Sequence, residues 1–132
     1  MKITLKDSSP LPVYQQIHDA VVRGIATGQL APGSKLLSVR AIAKELGINP
    51  ATVVKAYDLL KEEGLIESKQ RGQTTVAYTP ESFEPAPASA WDEALMQVLA
   101  LGKAQGRSNQ EIVDAVQGQL IWLETQREAS RV

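Results

Sequence analysis

The 132-residue chain has no cysteine. Disulfides, cysteine-ligated zinc or iron–sulfur clusters and thiol catalysis are therefore excluded, and a reducing cytoplasm is the natural setting. Histidine is almost as scarce. His18 stands alone, with no second histidine or acidic partner at metal-ligand spacing, so it reads as a surface or boundary residue and not as a metal ligand. No glycine-rich loop is placed to cradle a phosphate, so an enzyme is poorly supported and no cofactor is expected. Long apolar runs are missing too. Nothing approaches the roughly 18 apolar residues of a membrane helix, and the opening MKITLKDSS lacks the apolar run of a signal peptide. A membrane partner is not expected.

Net charge is also small, at −1, but it is unevenly divided. Residues 1–79 hold ten Lys/Arg against seven Asp/Glu, giving +3, whereas residues 80–132 hold four against eight, giving −4. Any surface that meets phosphates should thus lie in the first part.

The most informative stretch is Ser38–Leu60, SVRAIAKELGINPATVVKAYDLL. It predicts a helix from Ser38 to Leu46, a corner at Gly47 and Ile48, and a second helix over Asn49–Glu63. Asn49 can cap that helix, and Pro50 suits its first turn, where no N–H is needed. Ile42, Ala43 and Leu46 share one face of the first helix. Val53, Ala56, Tyr57 and Leu60 share one face of the second, at helical spacing. The outside of the second helix is then Asn49, Ala51, Thr52 and Lys55. A helix anchored on one side, with small polar groups near its N-terminus on the other, can enter a DNA major groove.

Before this stretch, KITLK (residues 2–6) alternates and reads equally as a short strand or as a loosely held terminus. Val13–Thr27 predicts a helix with Tyr14, Ile17, Val21 and Ile25 inward, ended by Gly28. Leu30–Leu37 is a loop with a Pro-Gly turn. After it, Leu65–Lys69 and Thr74–Thr79 predict two strands around a polar turn, Gln70–Gln73. A hairpin directly after a recognition helix is the layout of a winged helix. Its tip offers Lys69, Arg71 and Gly72 to phosphates or the minor groove.

Residues 80–90, with three prolines, read as a linker. A helix then runs from Ser89 to Gln105 with Trp91, Leu95, Val98 and Leu99 as its apolar set. Ser108 and Glu111 form a capping box for a last helix carrying Ile112, Val116, Leu120 and Leu123. Such stripes exceed what two helices can bury on each other, so a second copy of the chain is the economical cover.

These residues resemble a known family. LLSVR (36–40), followed by AIAKELGINPATVVKAYDLLKEEGLIESKQRGQTTV, resembles the winged-helix domain of GntR-family transcriptional regulators over about residues 10–79. The short C-terminal part resembles the YtrA subfamily. The resemblance implies a dimeric repressor, often of an operon for an ABC-type transporter. It implies DNA contacts from Ser38 and Arg40 at the start of the second helix. Asn49, Ala51, Thr52 and Lys55 would act in the groove, and Arg71, Gly72 and Gln73 in the wing. Leu37 stands where the family usually has proline, and the wing reads Gln-Arg-Gly-Gln where Gln-Gly-x-Gly is usual.

The expected architecture is therefore mainly α with a small β-hairpin. A winged helix-turn-helix over 1–79 leads through a linker at 80–90 to a dimerising helical hairpin over 91–132. The expected partners are double-stranded DNA and a second copy, and any small-molecule effector is left open. A winged-helix module that binds protein without specific DNA binding is the alternative.

Overall fold

The chain's first helix, α1 (Val13–Ala26), forms because Ile17, Val21 and Ile25 recur one turn apart and bury a single stripe. The computed structural model describes residues 3–69, 72–77 and 90–130. At the end of α1 the Thr27 hydroxyl donates to the Arg23 carbonyl at 2.8 Å, and Gly28, at φ +81°, turns the chain. Leu30 then folds back over Gly24. Its N–H donates to the Gly24 carbonyl at 2.9 Å, and a Cβ on Gly24 would come within 2.8 Å of Leu30 Cδ1.

Three short strands flank the two central helices, β1 (Lys35–Leu36) before them, after a Pro-Gly turn, and β2 (Ile66–Ser68) and β3 (Thr74–Val76) after them. They form one antiparallel sheet in the order β1-β3-β2. Thr75 sits at its centre, opposite Lys35 on one side and Glu67 on the other. The sheet corrects the expected loop at Leu30–Leu37, which holds β1. Two residues are too few to carry an alternating pattern, so β1 exists because β3 supplies its partner. Of the two readings open for residues 2–6, the strand does not form over residues 3–6. The hairpin strands are shorter than expected, and residues 78 and 79 lie outside the described residues.

Between β1 and β2 lie α2 (Val39–Leu46) and α3 (Pro50–Glu62). Val53, Ala56, Tyr57 and Leu60 of α3 are buried against Ile17 and Val21 of α1, Ile42 and Ala43 of α2, and Leu36, Ile66 and Val76 of the sheet. Each large aliphatic group removed from water contributes about 1.5–3 kcal/mol. Helix α3 is therefore held from three sides.

Tyr57 adds a polar strut. It is only 2 % exposed, and its hydroxyl donates to the Leu37 carbonyl at 2.6 Å. Burial pushes the phenol pKa far above its usual value, so it stays a donor. Tyr57→Phe is expected to cost about 1 kcal/mol in denaturant unfolding. An unchanged midpoint would mean that the Leu37 carbonyl finds another donor.

The C-terminal part is two helices, α4 (Ala90–Ala104) and α5 (Asn109–Ser130). Most of the linker expected at 80–90 lies outside the described residues, while Ala90 already belongs to α4. The capping box at the turn is present. Ser108 Oγ accepts from the Glu111 N–H at 3.1 Å, and Glu111 Oε1 accepts from the Ser108 N–H at 3.3 Å. Close packing is confined to the turn. Gly102 is the one buried residue of the pair, against the Ile112 side chain. Farther along, α5 reaches back to α1, where Ser130 Oγ donates to the Thr27 carbonyl at 2.9 Å. Between α5 and α1 lies an open cavity of about 290 Å³, floored by Val22, Ile25 and Leu65 and roofed by Leu120 and Leu123.

Candidate nucleic-acid interface

The surface expected to meet DNA is built on α2, α3 and the wing. Ser38 caps α2, its Oγ accepting from the Ala41 N–H at 3.1 Å. Gly47 ends α2 at φ +67°, a left-handed conformation that favours glycine. Asn49 then caps α3, its Oδ1 accepting from the Ala51 N–H at 2.9 Å, with Pro50 in the first helical position. These local devices set the corner between the helices, and the buried inner face of α3 sets its rotation. The Asn49 amide nitrogen has no hydrogen-bond partner among the described residues, so it is free to donate outward.

Arg40 is exposed in the first turn of α2 and pairs with no acidic group among the described residues. Ala51 and Lys55 are exposed on the outer face of α3, while Thr52 is half-buried at its edge. The ammonium of Lys55 lies 3.9 Å from the centroid of the Tyr14 ring, at the side of α3 that faces α1. Val54 and Asp58 share the outer face and were not among the expected contacts. Val54 is 42 % exposed, and its methyl groups suit contact with a thymine methyl. The signal was available by elimination, because the inner stripe starting at Val53 leaves Val54 outside.

In the wing, Lys69 and Gln73 are joined across the turn by a backbone hydrogen bond of 2.6 Å from the Lys69 N–H to the Gln73 carbonyl. Gly72 sits at φ +75°. Lys69 Nζ lies 3.8 Å from Glu67 Oε1, a loose exposed pair that tempers its charge. Arg71 lies outside the described residues.

Residues 13–76 match the family of bacterial regulatory proteins called gntR. The chain is 41 % identical over 73 residues to the transcriptional repressor YtrA of Bacillus subtilis, covering 55 % of each chain. It is similar in structure to YtrA from Sulfolobus acidocaldarius, described as a GntR-family transcription factor. There the TM-score is 0.61 at 34 % identity, over 77 % of this chain and 97 % of that one. A third likeness is to the DNA-binding domain of AraR solved in complex with operator ORX1. Its TM-score is 0.51 at 26 % identity, over 58 % of this chain and 96 % of that one. The chain belongs to the GntR family.

Within this GntR chain the segment that enters α2 is tied to α3. The Leu37 carbonyl accepts from the Tyr57 hydroxyl, which joins the start of α2 to α3.

His18 is the residue whose surroundings the sequence hid. Its Nδ1 lies 2.8 Å from Asp19 Oδ1, and its Nε2 is hydrogen-bonded to Glu63 Oε1, at the C-cap of α3. Gln15 Nε2 closes the group on Asp19 Oδ1 at 2.9 Å. Burial opposes the imidazolium, but the hydrogen bonds and charges of Asp19 and Glu63 outweigh it, so the His18 pKa is raised above 6.5. A carboxylate at a helix C-terminus is unfavourable, and the imidazolium offsets it. The unfolded chain loses this proton at lower pH than the folded one. The stabilisation is therefore complete below about pH 6 and lost as pH rises through the folded pKa. Urea midpoints measured upward from about pH 6 should fall for the native chain. His18→Gln should flatten that fall, and an equal fall in the variant would remove His18 as its source.

The helical hairpin carries the expected dimerisation residues. Trp91, Val98, Val116 and Leu120 are exposed, Leu95 is at the margin at 38 %, and Leu99, Ile112 and Leu123 are half-buried. Met96, Leu101, Ile121 and Trp122 are exposed as well, so apolar surface runs around much of both helices. Leu120 and Leu123 face the cavity beside α1.

Proposed function

We propose that this GntR-family chain is a dimeric, sequence-specific DNA-binding regulator, acting in the cytoplasm as a repressor of a transporter-type operon. One observation carries the reading. The recognition helix α3 is capped by Asn49 and gripped on its inner face by α1, α2 and the sheet, leaving Ala51, Val54 and Lys55 outward near its start. A groove-reading helix needs that combination of rigidity and small, mixed chemistry. Arg40, Lys55 and Lys69 neutralise phosphates or reach base edges, with Arg71 and Gln73 assigned to the wing. Ser38, Asn49 and Thr52 fix register. The AraR fragment bound to its operator, and YtrA as a named repressor, support the same direction.

Residues 1–79 would bind DNA, 80–90 would link, and 91–132 would dimerise. The near absence of buried side chains in α4 and α5 supports the last assignment, because helices with this much exposed apolar surface need a partner. Two copies related by a dyad would read a pseudo-palindrome with half-sites about one helical turn apart. A footprint on DNA upstream of the protein's own gene tests this. Two dyad-related protected segments are expected. Uniform digestion at concentrations that saturate the protein's dimer would contradict it.

A further inference from the structure

Tyr14 lies in the first turn of α1, half-buried, with its ring packed against the core cluster. Lys55 projects from α3 and lays its ammonium over that ring, 3.9 Å from the centroid. Asp58 stands one turn along the same helix, yet no ion pair forms between them among the described residues. The difference matters for a DNA-facing cation. A carboxylate would neutralise the lysine and would have to release it before a phosphate could bind. An aromatic face holds the cation without cancelling its charge, and the ammonium keeps N–H donors pointing away from the ring.

Resting on the DNA-binding reading above, we propose that Tyr14 is a positioning residue for operator recognition. Its ring holds the Lys55 ammonium at the α1 edge of the recognition helix, ready for a backbone phosphate. A free lysine samples many rotamers and loses that freedom when it contacts DNA, and a lysine already held loses less. Tyr14 thus raises affinity through Lys55 with no DNA contact of its own. Lys55 serves orientation and affinity, because a phosphate carries no sequence information.

The test is a double-mutant cycle read by anisotropy on the footprinted operator, across a salt series. Tyr14→Leu is expected to weaken binding about two- to fivefold with the salt dependence unchanged, since the phosphate contact still forms. Tyr14→Phe, which keeps the aromatic face, is expected to bind like the native chain. Lys55→Ala should weaken binding and reduce the salt slope by about 1. Adding Tyr14→Leu to Lys55→Ala should cost nothing further. Thermal unfolding checks that each variant folds, and Tyr14→Met replaces the leucine variant if that one does not. An equal loss from Tyr14→Leu with and without Lys55 would overturn the inference, as would a loss in Tyr14→Phe matching that in Tyr14→Leu. Native binding that is specific but insensitive to Tyr14→Leu would overturn it alone. A native chain with no sequence preference would overturn the DNA-binding reading beneath it.

Discussion

Arg40→Ala is expected to lower operator affinity by roughly ten- to a hundredfold while leaving the protein at least as stable as before. The affinity figure follows from the worth of a good arginine contact, about 1–3 kcal/mol. The stability figure follows from its position. Arg40 is exposed in the first turn of α2, where a cation opposes the helix dipole, and no acidic group among the described residues pairs with it. Alanine is also the better helix former. Folding therefore gives no reason to keep arginine there, and binding an anionic partner does. Melting curves and anisotropy on the same sample separate the two effects. A variant that is folded and binds at native affinity would remove Arg40 from the interface.

A still larger loss is expected from Val98→Glu on α4. Val98 is 66 % exposed and touches no part of the buried core, so the isolated chain should fold unchanged. In a dimer built on the hairpin the new carboxylate would be buried without a partner, a cost of several kcal/mol. Sedimentation should then report a monomer at concentrations where the native chain is a dimer. Operator affinity should fall by about a hundredfold or more, because two linked recognition helices bind with an effective concentration that a lone helix lacks. Circular dichroism would show the winged helix intact. A dimeric Val98→Glu with native affinity would place the dimer contact elsewhere on the chain.

The helix-turn-helix was legible because its determinants are local. Ser38, Gly47, Asn49 and Pro50 are caps and corners that act on their immediate neighbours, and the inner stripe of α3 repeats at helical spacing. The capping box at Ser108 and Glu111 was readable for the same reason. What escaped was long-range. Strand β1 is defined by its pairing to β3 and not by its own two residues. The Tyr57 strut to Leu37, the His18 bridge to Glu63 and the Lys55 contact with Tyr14 each join residues far apart in the chain. A one-dimensional pattern records that these side chains face inward or outward, but not which side chain each one meets. On the hairpin, the stripes were readable, but the orientation of Leu120 and Leu123 toward α1 depends on where α5 docks.

The roles proposed for α3, Arg40 and the helical hairpin all depend on sequence-specific DNA binding. The most direct measurement is fluorescence anisotropy with DNA from upstream of the protein's own gene and with an unrelated duplex of equal length, each at two salt concentrations. Tight binding to the upstream DNA is expected, with a gap of at least about a thousandfold over the unrelated duplex that persists at the higher salt. Equal, weak binding to both, falling steeply and in parallel with salt, would reduce the interaction to phosphate attraction and contradict the account.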